Sequence, residues 1–200
     1  MFNQSLKRFL KLLVAATLTF FIVACGQQVQ FNNVDITGSP SFAKDFELVD
    51  HLGQVRHLGD FKGRVVIMFF GYTQCPDVCP TTMIEMQGVM KLLGEDAKKV
   101  QVLFVTVDPQ RDTQELLAQY VPSFDPSFIG LRPRNEQELK QVADGFKVFY
   151  QKVPGKTSDS YTMDHTAGSY AFDPEGRLRL FIKHGQGGQA LANDIKALLK

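Results

Sequence analysis

The sequence predicts an α/β fold, a three-layer sandwich around a mixed sheet, and three observations carry that prediction. Two uninterrupted apolar runs, Val65–Phe70 and Val102–Val107, have the length and β-branched content of strands covered on both faces. Between them, residues 80–93 place Met83, Ile84, Met86, Val89, Met90, Leu92 and Leu93 in a helical stripe that ends before Gly94. Strand, helix and strand in that order form a βαβ unit, so the two strands run parallel with a right-handed crossover. Further on, Ser169–Phe172 and Arg177–Ile182 flank Asp173-Pro174-Glu175-Gly176, which has type I turn chemistry and predicts an antiparallel hairpin.

The remaining elements follow in order. Phe46, Leu48 and then Val55 lie on short extended runs joined by Asp50-His51-Leu52-Gly53, an earlier hairpin. Asp112-Thr113-Gln114-Glu115 reads as a capping box opening a helix through Leu116, Leu117, Tyr120 and Val121. Asn135-Glu136-Gln137-Glu138 does the same before Leu139, Val142, Ala143 and Phe146. Val153 to Thr166, with Pro154, Gly155 and five Ser or Thr residues, is expected to be a long loop. Leu191, Ile195, Leu198 and Leu199 mark a final helix. Strands alternating with helices and closing on a hairpin point to a sandwich of thioredoxin type.

The chain has 200 residues, which suits one domain with a tail, and 44% apolar with 22% charged residues is the balance of a folded domain. Lys7, Arg8 and Lys11 precede thirteen uncharged residues, 12–24, and no acidic residue comes before Asp35. A spanning helix needs roughly 20 apolar residues, so this run is short for a permanent anchor and fits a signal peptide over residues 1–24. Ile22-Val23-Ala24-Cys25 resembles the lipobox of bacterial lipoproteins, in which cleavage precedes the cysteine and its sulfur carries diacylglycerol. Cys25 is therefore the expected lipidation site, with an uncleaved short anchor as the alternative. Both place residues 26–200 outside the cytoplasm, on the periplasmic side, tethered to a membrane. Residues 25–40 then serve as lipidated cysteine, linker and docking segment, and 41–200 as the domain. Basic residues number 22 against 21 acidic ones; without the three in the signal, 19 against 21 leaves −2. That balance excludes an electrostatic nucleic-acid binder, which needs a basic excess on one face.

Three cysteines make a poor disulfide framework, and giving Cys25 to the anchor leaves Cys75 and Cys79 as a pair. They follow directly on the first buried strand, and α/β folds place their sites at the carboxyl ends of parallel strands. On a helical turn, residues i and i+4 share a face about 5–6 Å apart. Pro80 is expected at the first helical position, with both cysteines on the turn leading in, where free amides favour thiolate over thiol. Two close thiolates serve as a structural disulfide, a redox couple or a soft-metal site. A bridge closing so short a loop removes little chain entropy, which weakens the first reading.

Of the four histidines, His51, His57 and His184 are expected to be solvated or capping. His165 differs because it ends the long stretch 153–166, which in such a sheet reaches the cysteine turn; it is the candidate third ligand. Asp77, between the cysteines, is given no ligand role. Met83, Met86 and Met90 have the spacing of a buried helical face and are read as core. Asp108, Arg111 and Asp112 are read as a solvated charge cluster rather than a docking patch. The sequence holds no Gly-rich phosphate loop, no His-x-x-x-His pair and no serine with a plausible base.

Phe70-Gly71-Tyr72-Thr73-Gln74-Cys75-Pro76-Asp77-Val78-Cys79-Pro80, then Val107-Asp108-Pro109-Gln110-Arg111-Asp112-Thr113, Phe128-Ile129-Gly130-Leu131 and Tyr161-Thr162-Met163-Asp164-His165-Thr166 closely resemble the SCO/SenC family. The resemblance runs in order from about Phe42 to Lys200. It implies a membrane-anchored, thioredoxin-like metallochaperone that supplies copper to the Cu-A centre of cytochrome c oxidase, with Cys75, Cys79 and His165 as ligands. Two thiolates and a neutral imidazole suit three-coordinate Cu(I) and also tolerate Cu(II). Asp164 is expected to hydrogen-bond near the ligand histidine. The implied partners are the oxidase subunit carrying Cu-A, a copper donor protein and the membrane, reached here through a lipid where many members use a spanning helix. The expected role is not enzymatic. The alternative is a thiol–disulfide oxidoreductase whose Cys75–Cys79 redox disulfide cycles to keep the oxidase cysteines reduced. A third reading is a structural zinc or disulfide domain that only binds a partner.

Overall fold

The computed structural model describes residues 30–42, 45–157 and 160–200. The expected signal peptide and Cys25 lie outside the described residues. Both apolar runs are strands, β4 (Val65–Gly71) and β5 (Val100–Thr106), and every residue in them is buried. They pair in parallel from Val65↔Val100 to Gly71↔Thr106, and helix α1 (Val78–Leu93) is the crossover between them. Their apolar character on both faces demands cover above and below, which is what makes the fold three-layered.

Around this pair the main sheet has the order β1-β10-β9-β4-β5-β6-β2-β3. Here β1 is Val34–Asp35, β2 Glu47–Asp50, β3 Val55–His57, β6 Ile129–Arg132, β9 Ser169–Phe172 and β10 Leu178–Ile182. β6 continues the parallel set beside β5, whereas β9 lies antiparallel to β4 and β2 antiparallel to β6. The sheet is therefore mixed. Successive side chains of β4 point to opposite faces. On the Gly71 and Phe69 side lie Cys79 of α1, Phe104 of β5 and Tyr120, the last residue of α2 (Gln114–Tyr120). On the Phe70 side, Phe146 at the end of α3 (Glu136–Phe146) packs against Phe70, Tyr170 and Phe172. Helix α4 (Gly188–Leu198) packs beside α1.

Four local expectations need correction. α1 begins at Val78, so Pro80 is its third residue and Cys79 lies inside the helix; the first-turn amides have no intrahelical acceptor, so proline fits anywhere in that turn. α2 is capped by Thr113, whose side chain accepts from the Leu116 amide at 3.2 Å, because Asp112 is buried and engaged elsewhere. At α3 only half of the box forms: Asn135 accepts from Glu138 N at 2.9 Å, while the Glu138 carboxylate turns to Arg134. Finally, the stretch expected as a loop is mostly a hairpin, β7 (Tyr150–Pro154) and β8 (Tyr161–His165), paired from Tyr150↔His165 to Pro154↔Tyr161. The Gly and Ser signal belonged to its tip, and Pro154 is the last paired residue of β7.

The segment upstream of β2 docks as well. Asp194 of α4, buried, accepts the Asn32 amide and side chain at 2.8 and 2.7 Å and those of Asn33 at 2.9 and 2.8 Å. This latch sets β1 against β10, with Val34 opposite Phe181. No helix among the described residues is long and apolar enough to cross a membrane.

Candidate metal centre

Two separate pieces of chain build the site at the carboxyl end of β4. The turn Tyr72–Asp77 carries Cys75, half-buried, and α1 carries Cys79, wholly buried; both are free thiols. The Cys79 amide donates to Cys75 Sγ at 3.4 Å, which draws the first sulfur over the helix start. β8 brings His165 in, with Nε2 3.4 Å from Cys79 Sγ. The two sulfurs and an imidazole nitrogen all lie within 4.8 Å of one another. Glycine at position 71 permits this approach, since a Cβ there would stand 2.9 Å from Cys79 Sγ.

The imidazole is oriented by its other nitrogen. Nδ1 lies 3.0 Å from the Thr166 carbonyl. A carbonyl only accepts, so Nδ1 carries the proton and Nε2 presents its lone pair to the sulfur. The ring is walled edge-on by Phe69 and Tyr72, with centroids at 6.3 and 6.0 Å. Burial, only partly opposed by the Thr166 carbonyl and the Asp164 charge, holds His165 below its ordinary value and therefore neutral at pH 7. The outer partner of Nδ1 is thus Thr166. Asp164 is exposed and acts on the ring through its charge alone.

The buried sulfur also departs from expectation. Burial, reinforced by the Cys75 sulfur, pushes the Cys79 thiol well up. Desolvation outweighs the helix-start amides that favour a thiolate, so Cys79 waits as a neutral thiol until something replaces its proton.

Beneath both cysteines lies a polar base that sequence reasoning misassigned. Asp112 is fully buried; it accepts Thr73 Oγ1 at 2.6 Å, Thr73 N at 3.1 Å and Thr106 Oγ1 at 2.5 Å, which pins the cysteine turn to the end of β5. Burial raises its carboxyl despite those bonds. Asp108 is likewise buried and pairs with Arg111, itself only 19% exposed. The cluster is therefore part of the site and not a solvated patch. The available signal was three charges placed directly after a buried strand, where a soluble face has no reason to begin.

The other residues fall as expected. Met83, Met86 and Met90 are core. His51 Nδ1 accepts the Gly130 amide at 2.9 Å, His184 Nδ1 lies 3.1 Å from Thr82 Oγ1, and His57 sits half-buried near Asp45 and Glu47.

Residues 34–200 match the family described as SCO1/SenC. The chain belongs to the SCO1/SenC family. A curated SCO2-like protein of Rickettsia felis is 39% identical over 154 residues, covering 76% of this chain and 70% of that protein. Among solved structures, Bradyrhizobium japonicum ScoI with copper bound is 39% identical at a TM-score of 0.71, covering 78% of this chain and 99% of that one. The apo Sco1 protein from Thermus thermophilus is 35% identical at a TM-score of 0.73, covering 86% and 99%. The SCO1/SenC assignment and the mixed α/β architecture thus agree, and a relative at 39% identity has been solved with copper.

Proposed function

We propose that this protein is a membrane-tethered, extracytoplasmic metallochaperone that holds one copper ion on Cys75, Cys79 and His165. In this reading Cys25 carries the lipid, and the copper goes to the Cu-A subunit of cytochrome c oxidase. The observation that carries it is the convergence of two soft sulfurs and one neutral, correctly oriented imidazole within 4.8 Å. Soft thiolates with one imidazole match Cu(I), and copper is cargo here, held by ligands from two separate pieces of chain that can be exchanged one at a time. The copper-bound relative supports the same choice of metal.

The test is an anaerobic copper titration of the reduced full chain, followed by sulfur-to-copper charge-transfer absorbance. One equivalent is expected to bind, and Cys75→Ala, Cys79→Ala and His165→Ala are each expected to weaken binding by at least about tenfold. Wild-type affinity in His165→Ala would remove the three-ligand site.

The exposure difference between the sulfurs favours a second reading. Half-buried Cys75 is accessible to a partner disulfide, and buried Cys79 is placed to resolve the mixed disulfide, so the pair ends oxidised and the partner reduced. That chemistry needs both sulfurs and no imidazole ligand. A deletion strain rescued by His165→Ala but not by Cys75→Ser would select it over copper delivery.

A further inference from the structure

We propose that Arg111 is a positioning residue that clamps the His165 hairpin against the cysteine turn, an inference that rests on the copper-site reading above. β7 and β8 hydrogen-bond to each other in a sheet of their own, so among the described residues no ladder to the main sheet sets where His165 stands. Side-chain contacts must do it: Tyr72 and Cys79 touch His165 itself, and Arg111 ties the far end of β8 to the cysteine turn. Its Nη1 donates to the Tyr161 carbonyl at 2.9 Å and to Gln74 Oε1 at 3.2 Å. One nitrogen thereby links the first residue of β8 to the residue before Cys75.

The grip on Tyr161 has two further points. Arg111 Cζ stands 3.5 Å over the Tyr161 ring. Arg111 Nε donates to the Asp108 carboxylate, whose other oxygen accepts the Tyr161 hydroxyl at 2.9 Å. Tyr161 is therefore held at carbonyl, ring face and hydroxyl by two residues of the loop after β5. Tyr161, Met163 and His165 share one face of β8, so a hold on the first fixes the tilt of the last. Arg111 Nη2 is buried without a hydrogen-bond partner among the described residues. A surface ion pair carries no such desolvation, so this guanidinium is a built part of the loop rather than a solvated charge. Lysine has neither the planar fork nor the stacking face that this geometry uses.

The experiment uses the reduced full chain with Arg111→Ala, Arg111→Lys and Lys152→Ala, each made with His165 present and with His165→Ala. Cu(I) affinity is read by competition with a chromophoric chelator, and hydrogen exchange over residues 161–165 is read on the metal-free protein. Arg111→Ala is expected to lower affinity about 10–100-fold and to speed exchange in β8, and lysine is expected not to restore either. In the His165→Ala background the same change is expected to alter affinity less than about twofold, because the ligand it positions is gone. Lys152 also stands over the Tyr161 ring, at 3.7 Å, but belongs to the hairpin itself; its removal is expected to change neither readout. Equal weakening in both backgrounds, wild-type affinity in Arg111→Ala, or unchanged exchange in β8 would overturn the clamp. Wild-type copper affinity in His165→Ala alone would instead sink the copper-site reading, and faster exchange in Arg111→Ala would still uphold the clamp.

Discussion

Replacing Gly71 by alanine puts a methyl group 2.9 Å from Cys79 Sγ, 2.9 Å from Phe69 Cε1 and 3.0 Å from Phe104 Cε2. All three neighbours are fully buried, so none can swing into solvent. Ordinary contact begins at 3.4 Å, which requires a retreat of about 0.5 Å by the sulfur or by β4, and a constellation of ligands works only within about that tolerance. Overpacking of a tight core costs about 1–3 kcal/mol. For a chain of this size that is a fall in Tm of roughly 2–12 °C. A thermal melt of the reduced metal-free protein reads the packing, and a Cu(I) competition titration well below the melt reads the sulfur. Affinity is expected to fall about tenfold, as it does when a metal ligand loses its support. A variant that melts lower yet binds copper like wild type would refute the link between this contact and the ligand. One that melts like wild type would refute the packing itself.

Two further outcomes concern stability. Burial alone would raise the Asp50 and Asp173 carboxyls, but backbone amides and the guanidinium groups of Arg56, and of Arg177 and Arg179, outweigh it and hold both below the ordinary value. Carboxylates depressed on folding stabilise fully above their unfolded value of about 4 and lose that contribution as pH falls through the folded one. Urea midpoints are therefore expected to drop below about pH 4, and Asp173→Asn is expected to flatten that drop while losing about 1–3 kcal/mol at pH 7; an unchanged pH profile would clear Asp173 of the role. Asp194→Ala frees the amides of Asn32 and Asn33 and is expected to cost about 1.5–3 kcal/mol, with faster hydrogen exchange over residues 32–36. Unchanged exchange there would show that β1 holds without the latch.

What the sequence made legible is what short-range pattern determines. β4, α1 and β5 are long, apolar and unambiguous in period, so the parallel core and the position of the cysteine turn at its end could be read directly. Copper and the three candidate ligands were legible through resemblance more than through spacing, because His165 lies 86 residues from Cys79 and nothing local joins them. The rest was hidden for identifiable reasons. Cys79 was expected as a thiolate because a helix start is visible in sequence, whereas the burial that overrides it depends on Gly71, Phe69 and Phe104 meeting in space. Asp112 looked like a cap because adjacent Asp and Thr both carry that signal, and only tertiary structure decides which one is buried. Asp164 sits beside the histidine in sequence, but adjacent residues of a strand point to opposite faces, so the neighbour that reaches Nδ1 is a backbone carbonyl.

The same division between ladder and side chain runs through the site. Cys79 is fixed by regular structure: a helix start, a parallel strand and the contact at Gly71. His165 is fixed by a hairpin that, among the described residues, no ladder joins to the main sheet, and its placement depends on Arg111 and Asp108 gripping Tyr161. Gly71→Ala and Arg111→Ala should therefore weaken copper binding through different ligands. With His165 replaced by alanine, the glycine change should keep its full effect and the arginine change should lose nearly all of its own. If both effects vanished together, the site would be a single cooperative unit and the separation of its ligands into a rigid sulfur and a clamped imidazole would be wrong.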